Sequence, residues 1–268
     1  MSDFVAQAAA VKSPAAPEWL APLQSRFAEQ WQQEIFPHRK SEHWKYTNLN
    51  VLEQGGYHAP AEKIDLLDAQ VIDRARIGGL KSYDVVFING HYSEALSSAA
   101  TDAPKGVVLT RFADANADQQ SKISQALGSI ANQPQHLFAT LNSTQLADGV
   151  YIDVAKNTRL DKAIHIVNFT VGQATAATVS PRVFMTLAQG AEATLVEHFA
   201  SDANTQNIFT NAVTELDVGE NAKLRHYRLH MEDESILHIG GVHTNLRAHA
   251  TLEGFHLALG STLKRIVN

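Results

Sequence analysis

The chain has 268 residues, 44% hydrophobic and 19% charged, with a formal charge of −6, which fits a globular protein of one or two domains. It has no cysteine, so these residues hold no disulfide framework, thiolate nucleophile, CxxC redox pair or cysteine-ligated zinc or iron–sulfur centre. The mild acidity argues against non-specific nucleic-acid binding, no apolar run reaches the length of a membrane span, and the Ala-rich start lacks a basic flank, so a cytoplasmic protein is expected.

Residues 1–16 are small and Ala-rich, with Pro14 nearby, and predict a flexible tail. From Trp19 the apolar positions Leu20, Leu23, Phe27, Trp31 and Ile35 recur at spacings of three and four, one stripe of an amphipathic helix that Pro37 stops. Arg39 to Asn50 shows neither period and reads as an ordered connector. A second helix is predicted over 66–77, ending at Gly78 and Gly79. Tyr83 to Ile88, Asn89-Gly90 and His91 to Leu96 read as strand, type I′ turn and returning strand. Val107 to Leu109 offers another strand, and Ser121 to Leu146 one or two helices broken around Pro134. The segment 17–148 is thus a mainly helical N-terminal domain with a hairpin near 83–97.

From Val150 the texture changes to short β-branched and aromatic runs. Ala193-Thr194-Leu195, Ala222-Lys223-Leu224 and Ala250-Thr251-Leu252 recur at spacings of 29 and 28 residues, and Leu187 to Gly190 matches Leu216 to Gly219. A period of this size marks a solenoid. Tyr227, Leu229 and Met231 are out of phase with Ala222 and Leu224, and Phe255, Leu257 and Leu259 with Ala250 and Leu252. A corner two residues after each repeated leucine, at Glu197, His226 and Gly254, would return the later residues to the interior. The fold class expected is therefore an α+β N-terminal region followed by an all-β parallel β-helix over 149–268, in preference to a β-sandwich.

Thirteen histidines are many for this length. His226, His230, His238, His243, His249 and His256 invite a metal reading, but His226 and His230 on a strand would share a face about 13 Å apart, too far for one ion. No His-x-His pair of the cupin type is present. The group therefore reads as structural. His198 shares the repeat position of Tyr227 and Phe255 and is expected to be a buried core histidine beneath aromatic rings. Glu232-Asp233-Glu234 alternate in direction and read as a solvated loop. With no nucleophile elbow and no phosphate loop, no catalytic, cofactor or metal residue is assigned. Two enzyme readings stay open at this point, a β-helical carbohydrate-active enzyme and a cupin-like metal enzyme.

The run Arg39-Lys40-Ser41-Glu42-His43-Trp44-Lys45-Tyr46-Thr47 resembles the Arg-x-x-Glu-x-Trp-Lys-Tyr-Thr signature of the SufB/SufD family of the SufBCD iron–sulfur cluster assembly complex. Val86 to Ser97, Leu137 to Asn142 with Asp148-Gly149, and Gly190 to Phe199 are similar to the same family in the same order. The resemblance implies a helical N-terminal domain, a right-handed parallel β-helix and a further helical domain. It also implies a non-catalytic scaffold acting with SufB and the ATPase SufC, with no cofactor bound by this chain alone and a transient Fe–S cluster at a SufB interface. Arg39, Glu42, Trp44, Lys45, Tyr46 and Thr47 match the signature and are expected to pack rather than react. In that family the SufC contact and the cluster-site histidine lie in the C-terminal part, beyond the point matching Asn268, and a further Ala-x-Leu copy would be due near 280. The β-helix is therefore expected to be incomplete at its C-terminus, and the oligomeric state is open between a homodimer and a heterocomplex.

Overall fold

A computed structural model describes residues 3–10, 16–37, 40–64, 73, 75–98, 103–131, 137–203, 205–259 and 263–267. Its helices are α1 (Asp3–Ala10), α2 (Ala21–Gln33), α3 (Asn50–Gly55), α4 (Ala117–Ala126) and α5 (Leu137–Thr144). The strands before the main coils are β1 (Ser82–Ile88), β2 (His91–Tyr92), β3 (Val107–Arg111), β4 (Val150–Val154), β5 (Ala163–Thr170) and β6 (Ala177–Val179). They continue as β7 (Arg182–Leu187), β8 (Glu192–Ser201), β9 (Ile208–Val218), β10 (Lys223–Met231), β11 (Leu237–Leu246), β12 (Thr251–Ala258) and β13 (Leu263–Val267).

The strands build two walls. One has the order β12-β10-β8-β5-β1-β2, the other β13-β11-β9-β7-β4-β3, with β6 beside β9. Strands of one wall pair in parallel, except for β1 with β2 and β3 with β4. The chain alternates between walls as it advances, which is a parallel β-helix. Between the walls lies an apolar core in which Ile164, Leu195 and Leu224 of one wall meet Ile152, Met185 and Leu216 of the other. The parallel order is incompatible with the antiparallel barrel of a cupin.

The coil starts earlier than 149. β1 pairs with β5 along its whole length, from Ser82 opposite Ala163 to Ile88 opposite Phe169, so the hairpin belongs to the solenoid wall. Asn89 and Gly90 have φ of 49° and 80°, and Ile88 faces His91. This is the backbone that a type I′ turn demands and that Asn-Gly tolerates. The returning strand stops at Tyr92, and Glu94 to Leu96 form a single 3₁₀ turn.

The N-terminal residues are not wholly a loose tail. α1 buries Phe4, Val5 and Ala8, and the Trp31 indole donates to the Val5 carbonyl at 3.0 Å. The helix stripe holds for Leu23, Phe27 and Trp31, but α2 ends at Gln33 and leaves Ile35 83% exposed. Helices cover the outer face of the wall that contains β9 and β11: Phe138 and Leu141 of α5 join Phe209, Leu237 and Ile239 in one cluster. The helix predicted over 66–77 falls mainly outside the described residues, as does the break at Pro134. α4 and α5 lie on either side of that break.

The corners differ from the sequence expectation. Asn157, Gly190, Asn221 and His249 all have left-handed φ, between 54° and 68°, and each sits in the turn just before an Ala-x-Leu strand or its equivalent. The corner thus precedes the motif. After it β10 runs straight, with Leu224, His226, Arg228 and His230 buried and Arg225, Tyr227 and Met231 outward. Leu224 faces Ala193 and His226 faces Leu195, so these two copies are offset two residues further than the motif alignment predicts. A slip of two keeps every side chain on its face.

Candidate functional site

Straight running of β8 and β10 brings an unusual set of side chains into the coil. Beyond the apolar layer of Leu195 and Leu224, the inward positions are Glu197 and Phe199 on β8 and His226, Arg228 and His230 on β10, all buried. The opposite wall contributes Thr210 and Thr214 from β9 and His238 from β11, also buried. Apolar outward residues pay for this inversion: Tyr227, Met231 and Phe255 are 36%, 47% and 54% exposed.

Buried charges persist only when paired. Glu197 accepts hydrogen bonds from Thr214 Oγ1 at 2.8 Å and pairs with His226 Nε2 at 2.8 Å, while Arg228 Nε lies 3.8 Å away. Burial alone would raise this carboxyl, but the Arg228 guanidinium and His226 outweigh it and hold the group well below the usual carboxylate range. Arg228 itself stacks its guanidinium on the Phe199 ring at 4.9 Å. Its three nitrogens have no hydrogen-bond partner among the described residues.

A second group lies where β10 turns into β11. Glu232 is 5% exposed, not solvated. Its Oε1 accepts from Thr210 Oγ1 at 3.0 Å and its Oε2 pairs with His238 Nδ1 at 2.7 Å. His230 Nδ1 is 3.9 Å from the same oxygen, too far for a hydrogen bond. Burial would raise Glu232, yet His238 and His230 beside it keep it ionised well below the usual range. Burial pushes the His230 imidazole down to about 3 and also lowers His238. Burial thus works against the charged form of both imidazoles, while their proximity favours the ionised form of the carboxyl. Phe199 stacks on the His230 ring at 4.9 Å and meets His238 edge-on at 4.9 Å. Gly240 makes the room, since a Cβ there would stand 3.2 Å from His238 Nε2 and 3.4 Å from Arg228 Nη2.

Both carboxyls are drawn towards the ionised form by these neighbours, the reverse of the raised carboxyl that general-acid catalysis of glycoside hydrolysis uses. Neutral imidazoles and a carboxylate are, by contrast, good donors to a cation. The sequence missed this set because Glu232 heads an acidic run and because phase reasoning turned polar residues outward. His226 and His230 do share a face, and the partners of His230 come from the next turn of chain.

The other candidates separate. His198 is buried, but on the outer face: it lies opposite Val167 and Leu229 and stacks on His165 at 5.7 Å. Among the described residues no aromatic from the next coils stacks on it. His249 shapes a corner. His256 meets His226 edge-on at 5.9 Å. In the N-terminal signature Trp44 is buried against Phe138 at 5.2 Å, Arg265 Cζ sits 4.4 Å over its ring, and Arg265 Nη1 donates to Thr47 Oγ1 at 3.0 Å. Tyr46 is 90% exposed. Arg39 lies outside the described residues.

Among the described residues no helix is long and apolar enough to cross a membrane. Residues 3–166 match the family model described as the SufBD protein N-terminal region, and residues 169–267 match the SUF system FeS cluster assembly, SufBD core domain. The chain is 27% identical over 210 residues to the iron–sulfur cluster assembly SufBD family protein slr0076 of a Synechocystis species, covering 76% of this chain and 46% of the relative. It is 28% identical over 231 residues to the iron–sulfur cluster assembly protein SufD of Escherichia coli, covering 85% and 50%. The protein ABCI7, chloroplastic, of Arabidopsis thaliana is 24% identical over 238 residues, covering 86% and 48%. The chain spans about half the length of the curated relatives it matches.

Proposed function

The chain belongs to the SufB/SufD family of iron–sulfur cluster assembly proteins, and from that premise we propose that it is a SufD-type scaffold subunit acting with SufB and the ATPase SufC. The observation that carries the reading is the pair of family matches, which cover 3–166 and 169–267 on a fold of short helices and a parallel β-helix. Its role is non-catalytic. No thiolate exists in these 268 residues, so any thiolate ligands for a cluster lie outside them. The transient cluster is cargo at a SufB interface, and the cytoplasmic location read from the sequence belongs to the same proposal.

Co-expression of a full-length version of this chain with SufB and SufC of the same organism, followed by its affinity capture and mass spectrometry, tests it. Co-capture of SufB or SufC in fixed stoichiometry is the expected result. Elution of the chain alone, while SufB and SufC assemble with each other, would overturn it.

A further inference from the structure

His230, Glu232 and His238 present one donor atom each, and these atoms all lie within 4.8 Å of one another with every residue buried. We propose that these side chains form a binding site, inside the coil of the β-helix, for a divalent first-row transition-metal ion such as Fe²⁺, Co²⁺ or Zn²⁺. The inference stands on this chain's own residues and does not depend on the assembly role.

Two neutral imidazoles with one carboxylate are the donor set that such ions take in preference to Mg²⁺ or Ca²⁺, which require oxygen ligands. Ligands roughly 2.1 Å from an ion stand about 3.4 Å apart in a tetrahedral site. The donors, now within 4.8 Å of one another, draw together towards that spacing as an ion enters. Independent evidence that the group is built for a ligand lies in its unmatched polar atoms: both ring nitrogens of His230 and Nε2 of His238 are buried with no hydrogen-bond partner among the described residues. Nitrogens so placed cost stability unless something binds them. The surroundings also orient the donors. Thr210 fixes the far oxygen of Glu232, and Phe199 fixes the His230 ring plane, the outer-layer support usual around metal ligands. One group competes with the ion. Lys264 Nζ lies 3.8 Å from Glu232 Oε2 and donates to the Leu259 carbonyl at 3.2 Å, so an entering cation must displace its charge from the carboxylate.

Titration of the chelator-treated full chain with Co²⁺, followed by visible absorption and by metal analysis after gel filtration, tests the proposal. One equivalent is expected, with d–d bands reporting nitrogen and oxygen ligands and displacement by Zn²⁺. Glu232→Gln and His238→Gln should each weaken binding by about a hundredfold or more, and Thr210→Val by roughly tenfold. Lys264→Met should tighten it by about tenfold, a gain that loss of folding cannot imitate. His198→Gln, on the outer face, should change nothing. Absence of saturable Co²⁺ binding in the unmodified chain overturns the proposal, as does a site of unchanged affinity and spectrum in Glu232→Gln and His238→Gln.

Discussion

Arg182 and Glu215, on the adjacent strands β7 and β9, form an ion pair whose side chains are both completely buried on the outer face of one wall. The pair joins coil to helical layer. Glu215 accepts from the backbone N–H groups of Gly128, Ile130 and Ala131 at 2.8, 3.1 and 3.1 Å, and Arg182 Nη1 donates to Asn142 Oδ1 and Ser143 Oγ at 2.9 and 3.0 Å. Removing one partner leaves an uncompensated charge in a dry site, which typically costs about 3–5 kcal/mol. Glu215→Ala is therefore expected to lower unfolding stability by that order and to orphan the backbone donors after α4. Urea unfolding followed by circular dichroism measures the loss. A change under about 1 kcal/mol would mean that the pair is hydrated.

Acid sensitivity should come partly from His198. Burial, and then the neighbouring His165, push its imidazole from 6.5 down to about 4, against the raising effect of a hydrogen bond to the Ala75 backbone. Between these values the unfolded chain binds a proton that the folded chain excludes. Stability is thus fully present above about pH 6.5, falls as pH drops through the window, and levels off below about pH 4. His230, His238 and His256 are also lowered by burial and act with the same sign. His198→Gln should flatten only part of the slope. Urea midpoints at about pH 7 and about pH 5 check this, and an unchanged difference between the two would exclude His198 as a contributor.

The sequence made the coil legible where local backbone demands are strict. Asn89-Gly90 announced its turn because few other pairs accept two positive φ values in succession, and the Ala-x-Leu copies marked strands because small and branched residues must alternate into a narrow core. It was less legible where tertiary contacts decide. α1 carries no apolar stripe that stands out from an Ala-rich run, and tertiary contacts give it its place, among them the Trp31 indole on the Val5 carbonyl and the cluster with Leu52 and Leu141. β10 inverts the usual polarity, because His226 and Arg228 find Glu197 on the neighbouring strand, and no periodicity carries that information. Glu232 turns inward from an acidic run because Thr210, distant in sequence, receives it.

The Trp44 signature gives a further expectation. Its indole packs on Phe138 and under Arg265, and Arg265 also donates to Thr47 Oγ1 and to the His43 carbonyl. One guanidinium therefore ties the N-terminal connector to β13. Arg265→Ala removes a cation–π contact and charge-assisted hydrogen bonds at a half-buried site, worth about 1–3 kcal/mol together. Trp44 emission should shift to longer wavelength as the ring gains solvent. An unchanged spectrum with unchanged stability would show that the contact is incidental.

Two glycines on inward positions of opposite walls should respond to alanine with opposite sign. At Gly240 on β11 a Cβ would stand 2.8 Å from the Ala212 carbonyl oxygen, which is backbone and cannot step aside, and 3.2 Å from His238 Nε2. Overpacking of that kind costs about 1–3 kcal/mol. Gly254 on β12, opposite His226, has nothing within 4 Å of the same added atom and no positive φ. There the only sizeable effect is reduced freedom of the unfolded chain, which stabilises by about 0.4–1 kcal/mol. Thermal melts of Gly240→Ala and Gly254→Ala should move in opposite directions from the parent. If both fell by similar amounts, β12 would be packed as tightly as β11, and the charged cluster would lie deeper within the coil than these distances place it.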